Sequence, residues 1–287
     1  MDQTLEALDH VIQSLCWVES TRVPSEKLLS AALSHHWTVK GSRLRPRLAI
    51  HAGLALGFPL SQNLRMAAAC DFLHNASLIH DDLVDGSPLR RGQVALWQQF
   101  GIPVALAVGD LLISGAYAAI SEMDATSDVS RLVQCIHQVT LKTIHGQLAP
   151  LDSMPMSLES YLEMSVAKTG ALMAMPLVLP LLAMGLDHEA EIAARVGESF
   201  GVAYQIQDDL QDEAEDHDFE PGREIFNVVK ILEAHGSKGA AHAEARRIGL
   251  EYLEKASVLS EQLPNGMGSF LLEEIRVLSD QLQELPS

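Results

Sequence analysis

Two short acidic runs carry the strongest chemical signal in the sequence. Ile79-His80-Asp81-Asp82-Leu83-Val84-Asp85 and Ile206-Gln207-Asp208-Asp209-Leu210-Gln211-Asp212 share the pattern Ile-x-Asp-Asp-Leu-x-Asp, each closing a long apolar stretch that reads as a helix. In a helix, Asp81 and Asp85 stand one turn apart on one face, as do Asp208 and Asp212. Like charges at that spacing destabilise a bare helix, and the macrodipole at a helix C-terminus adds to the repulsion. A bound cation resolves the conflict, and hard carboxylate oxygens suit Mg²⁺, which keeps several waters and shares its shell with substrate phosphates. The flanking Leu78-Ile79 and Tyr204-Gln205-Ile206 are core-like, so these acids are expected to rim a cavity rather than a solvated helix end.

Basic residues stand where a magnesium-bound anion would need them. Arg90-Arg91-Gly92 follows a tight Gly86-Ser87-Pro88 turn beside the first acidic run, and guanidinium groups bind phosphate oxygens bidentately. Lys40, Arg43, Arg45 and Arg47 cluster around Gly41 and Pro46 at a predicted helix start, a position that attracts anions independently of side chains. Lys168-Thr169 is the basic step before a long uncharged stretch, where a polar mouth would give way to an apolar interior.

The elements that must position these groups are helical. Leu5, Leu8, Val11, Ile12 and Leu15 follow one helix face, as do Leu132, Cys135, Ile136 and Val139. Further helices are predicted over roughly 43–57, 61–84, 104–121, 128–148, 158–183, 188–213, 225–234, 238–262 and 268–284. Turn chemistry separates them at Gly57-Phe58-Pro59, Gly86-Ser87-Pro88, Gly101-Ile102-Pro103, 150–155, Glu220-Pro221-Gly222 and Pro264-Asn265-Gly266. No Ser/Gly linker divides the chain, so one all-α domain over 1–287, a bundle of about ten helices around a deep central cavity, is expected.

Composition narrows the function. A chain of 287 residues that is 47% hydrophobic can build a substantial core, which excludes disorder. Only 20 Lys and Arg oppose 38 Asp and Glu, and the net charge of −18 argues against nucleic acid or an anionic membrane surface as partner. Cys16, Cys70 and Cys135 are too far apart for a zinc site and read as buried thiols in a reducing compartment. The N-terminus has no apolar signal segment, and the uncharged stretch from Thr169 to Leu186 contains Pro176 and Pro180 and is short for a bilayer span. A cytoplasmic protein with no integral membrane segment is expected.

Taken in order along the chain, these motifs resemble the trans-isoprenyl (polyprenyl) diphosphate synthase family. The likeness is anchored by Gly41-Ser42-Arg43-Leu44-Arg45-Pro46, His74 to Asp85 with Arg90-Arg91-Gly92, Gly109-Asp110, Gly146-Gln147, Lys168-Thr169 and Tyr204 to Asp212. The resemblance implies an all-helical fold, a homodimer, and three Mg²⁺ ions held between the aspartate motifs. Asp81, Asp85 and Asp208 would be the direct ligands, supported by Asp82, Asp209 and Asp212. Arg90, Lys168 and Gln205 would hold an allylic diphosphate, Arg43, Arg45, His74 and Arg91 would serve isopentenyl diphosphate, and Thr169 would lie beside the developing cation. The implied reaction ionises the allylic C–O bond, attacks the carbocation with the isopentenyl double bond, and loses a proton to the released diphosphate.

The sequence departs from the family at two places. Ser42 stands where a lysine ordinarily grips isopentenyl diphosphate, and Glu213 to Asn227 lacks the expected lysine, with Arg223 a partial substitute. Three reactions therefore stay open: chain elongation, an altered isoprenoid reaction such as a diphosphate lyase, cyclase or unusual prenyl transfer, and a non-catalytic partner subunit. Ala76 and Ser77, one turn before Asp81, are small where farnesyl-forming relatives carry an aromatic floor, which points to a product of C20 or longer. His35-His36, His137 and His145 form no spaced metal set.

Overall fold

The computed structural model describes residues 1–16, 23–124, 127–152, 156–215, 227–237 and 239–285. These residues form two compact units, Met1–Ile136 with Leu182–Gly185, and His137–Leu181 with Leu186–Ser287. Trp17, the Glu220-Pro221-Gly222 turn and Arg223 lie outside the described residues.

The first unit holds α1 (Asp2–Cys16), α2 (Pro24–Thr38), α3 (Leu44–Ala55), α4 (Leu60–Asp85), α5 (Leu96–Phe100) and α6 (Ile102–Ser121). Its centre is the α4 and α6 pair, against which α1, α2, α3 and α5 pack. The two central helices approach closely because α6 carries glycine at the contacts. A Cβ at Gly109 would fall 2.1 Å from Nε2 of His80, and one at Gly115 would meet Phe72 and Cys16. Burial pushes the Cys16 thiol up to about 12, so it stays protonated and apolar, as read from the sequence.

Helix α7 (Val129–Asp152) leads into the second unit, which contains α8 (Leu158–Ser165), a π-helical turn (Val166–Gly170), α9 (Ala171–Ala183), α10 (Asp187–Glu215), α11 (Val228–Ala234), α12 (Ala241–Ser260) and α13 (Ser269–Glu284). Helix α10 is the hub, packing on the π turn, α8, α11, α12 and α13. At the α9 contact Gly197 lies against the backbone of Ala174. Helix α9 runs through both Pro176 and Pro180 with its residues from Ala171 to Leu177 buried, so tertiary packing outweighs two missing N–H donors.

The predicted helices are present, with ends shifted by a few residues. The region 158–183 is three pieces rather than one, because the π turn interrupts it. Three elements are additional: α2, α5 and a two-stranded hairpin, β1 (Leu89–Arg90) with β2 (Gln93–Val94). Helix α2 buries only Ala32 and Leu33, too few apolar positions to show as a periodic stripe. Two segments, Ile102–Ser121 and Leu158–Ala183, are long and apolar enough to cross a membrane by length and composition.

Candidate active site

The first aspartate motif occupies the last two turns of α4, which stops at Gly86 in a left-handed conformation (φ 58°). That register divides the three acids. Asp81 and Asp85 are half-buried, while Asp82 turns inward and is 3% exposed. Burial raises the Asp82 pKa, opposed by a hydrogen bond from Arg90, whose Nε donates to Oδ1 at 2.9 Å.

Arg90 and Arg91 sit on the hairpin, where Leu89 pairs with Val94 and Arg90 with Gln93. The connecting Arg91-Gly92 both have positive φ (53° and 73°), the conformation of a tight two-residue hairpin turn that glycine adopts freely and arginine does not. Such strain in a non-glycine residue persists only where its surroundings impose it. Here α2 supplies them: His35 Nε2 lies 2.8 Å from the Val94 carbonyl, and Gln93 Nε2 lies 3.0 Å from His35 Nδ1. A Cβ on Gly41 would fall 2.5 Å from the Arg91 guanidinium, so Gly41 clears room for that side chain. Arg90 and Arg91 thus line a cleft together with His35, His36, Val39 and Asp82.

The other basic residues divide by partner. Arg45 is buried, with Nη1 3.2 Å from Nε2 of His74. Arg43, itself at positive φ (51°), donates to Asp9 at 2.6 Å and to Asp71 at 3.0 Å. It therefore braces α1 and α4, a partnership invisible in the sequence because Asp9 and Asp71 have no motif. Lys40 also pairs with Asp9, while Ser42 is exposed.

Burial lowers the pKa of His74, and Arg45 and Arg91 lower it further. It brings His36 to about 4, with Arg91, His35 and Arg90 acting in the same direction against a hydrogen bond to Asn75. The unfolded chain then binds more protons than the folded one between pH 4 and 6.5, so this contribution to stability is complete above 6.5 and lost as pH falls toward 4. At pH 5 the loss is about 2 kcal/mol. Denaturant titration should show His36→Gln losing that much less stability than wild type between pH 7 and pH 5.

The second motif lies near the end of α10 and repeats the division. Asp208 is half-buried and Asp209 is 5% exposed. Asp209 accepts from the Tyr161 hydroxyl at 2.7 Å, the Val228 N–H at 2.9 Å and Gln205 Nε2 at 2.9 Å. Its own carbonyl accepts from Asn227 at 2.6 Å, and Asn227 caps α11 by accepting from Val229 N–H. Asp212 lies in the same helix.

Lys168 and Thr169 occupy the π turn, a feature frequent at functional sites. Glycines hold it on two sides. A Cβ on Gly146 of α7 would fall 2.4 Å from the Lys168 backbone nitrogen, and one on Gly201 of α10 would fall 2.5 Å from Gly170 Cα. Thr169 donates to Oε1 of Gln205 at 2.8 Å, so the three residues assigned to the allylic substrate from this unit lie together.

Tyr161 and Asn227 are functional neighbours missed in the sequence. A lone Tyr in a helix carries no motif, though a buried phenol always needs a partner. Asn227 before Val228-Val229 was legible as an N-cap, but the predicted helix started two residues earlier and masked it.

Among the described residues no three metal-ligating groups are gathered into a ready cage. Paired carboxylates one turn apart fit Mg²⁺ better than such a cage would, since that ion completes its shell with water and phosphate oxygen.

The sequence profile of polyprenyl synthetases matches residues 26–220. The chain belongs to the polyprenyl synthetase family. Membership makes it a trans-prenyltransferase of isoprenoid biosynthesis. A short chain isoprenyl diphosphate synthase of Methanothermobacter thermautotrophicus is 32% identical over 230 residues, 75% of this chain and 70% of that one. Among solved structures, the geranylgeranyl pyrophosphate synthetase of Geoglobus acetivorans superposes with a TM-score of 0.85 at 25% identity, covering 97% and 99% of the two chains. The geranyltranstransferase of Thermotoga maritima gives 0.77 at 27% identity over 98% of each chain. This polyprenyl synthetase is all-α like its relatives, and it uses its signature acids unequally, the first of each pair toward solvent and the second toward the core.

Proposed function

We propose that this polyprenyl synthetase condenses an allylic diphosphate with isopentenyl diphosphate to give a trans-polyprenyl diphosphate of C20 or longer, using magnesium held by both aspartate motifs. The observation that carries the proposal is the matched construction of the motifs, since two separate helices each keep one carboxylate half-exposed and bury its neighbour. Asp81, Asp85 and Asp208 are the proposed direct ligands, with Asp212 in support. Bound magnesium supplies the positive charge that stabilises the departing diphosphate.

The chain's own residues do the rest. Arg90 and Lys168 hold the allylic diphosphate, while Arg45, Arg91 and His74 orient isopentenyl diphosphate. With its pKa lowered, His74 is neutral near pH 7 and offers a hydrogen bond rather than a charge. Thr169 and Gln205 stand beside the forming cation, in a site that must exclude water. We propose further that residues 1–287 make a single isoprenyl diphosphate synthase-like domain, and that the protein is soluble and cytoplasmic. The proposed homodimer has a motive in exposed apolar residues, Ile102 and Leu106 on α6 and the stripe Leu141, Ile144 and Leu148 on α7.

Mass spectrometry of products from allylic primers of increasing length tests the reading. Elongation requires both substrates and magnesium. Diphosphate release without isopentenyl diphosphate would replace elongation with a lyase or cyclase reaction, and no release under any condition would leave a non-catalytic subunit. Ala76 is 2% exposed on α4, and Ala76→Tyr should shorten the main product by at least one five-carbon unit in the same assay.

A further inference from the structure

The second unit contains a continuous hydrogen-bond chain whose polarity is fixed at one end. Thr169 donates to Gln205 Oε1, Gln205 Nε2 donates to Asp209 Oδ1, and Tyr161 and the Val228 N–H both donate to Asp209 Oδ2. A backbone N–H can only donate, and a phenol beside a carboxylate does so as well. Three donors converge on this buried carboxylate, which accepts from all of them.

The consequence passes along the chain. Gln205 turns its NH₂ toward Asp209 and its amide oxygen toward Thr169. Thr169 must then donate to that oxygen, which leaves its own lone pairs facing elsewhere. We propose that Asp209, held by Tyr161, sets the direction of this chain so that Thr169 and Gln205 present oxygen rather than N–H or O–H to the allylic group. Oxygen dipoles favour a developing cation, and donors in the same place would oppose it. Asp209 and Tyr161 are thus positioning residues, and Asp209 serves the reaction from inside the protein rather than on the metal. The inference deepens the proposed function and rests on it.

Asp209→Asn tests it in the full-length enzyme with magnesium and both substrates. Asparagine keeps the shape but can donate, so the Gln205 amide is free to reverse. Turnover should fall about 10- to 100-fold, as for loss of one oriented dipole, while KM for the allylic diphosphate and the magnesium concentration for half-maximal rate stay within about twofold, since no substrate or metal contact is removed. The double variant Asp209→Asn/Thr169→Val should be no slower than Thr169→Val alone, and Thr169→Ser should restore the Asp209 effect. Additive losses, or a raised magnesium requirement, would overturn the relay. If Asp209→Asn does not fold, Tyr161→Phe enters the same cycle, with the same two outcomes. A wild-type enzyme that does not elongate would sink the proposed function before any variant is compared, whereas an active wild type with an additive cycle sinks the relay alone.

Discussion

Asp85→Ala should lower turnover on the order of 10³-fold while leaving the protein as stable as before or slightly more so. Asp85 is the last residue of α4, where the helix dipole is unfavourable to negative charge, and Asp81 lies one turn back on the same face. Its charge also raises the pKa of buried Asp82. Removing it relieves all three interactions, worth about 0.5 kcal/mol at a half-exposed site. Loss of activity with a gain in stability marks a residue kept for chemistry. Asp209→Ala should instead lose stability along with turnover. It strands the Tyr161 hydroxyl and the Val228 N–H in the core and should cost about 3 kcal/mol. Steady-state kinetics beside urea denaturation separates the two classes.

Gly146→Ala is the second large effect. The added methyl would lie 2.4 Å from the Lys168 nitrogen and 2.8 Å from its Cα, and both are backbone atoms of the π turn. A backbone cannot yield as a flexible side chain does, so about 2–3 kcal/mol of stability should be lost. Displacing Lys168 and Thr169 by a fraction of an ångström should reduce turnover about 10²-fold in the protein that remains folded. Gly249→Ala provides the contrast, because its methyl meets side-chain atoms rather than backbone, Leu282 at 3.1 Å and Ile206 at 3.4 Å. It should leave turnover unchanged and cost less than about 1 kcal/mol. Thermal melts and specific activity measured on all three proteins check both statements.

Helices whose apolar residues recur at helical spacing, such as α1, and those bounded by glycine or proline turns, such as α4 and α6, were legible in the sequence, because burial and turn chemistry act locally. The hairpin was not, since a four-residue ladder has no periodicity and is held by His35 from a distant helix. The acidic motifs were legible as a set, but the division of labour within them was not. Whether Asp81 or Asp82 faces the core depends on the rotation of α4 against its neighbours, which tertiary packing decides. The same holds for Arg43, whose pairing with the carboxylates of Asp9 and Asp71 the basic cluster in the sequence does not announce.

Arg90 rests on Asp82. An incoming ligand must therefore take the guanidinium from an internal rival rather than meet it unengaged, so capture is an exchange of counterions. The diphosphate proposed for this site would meet a guanidinium already turned and held by the protein, at the cost of parting it from Asp82.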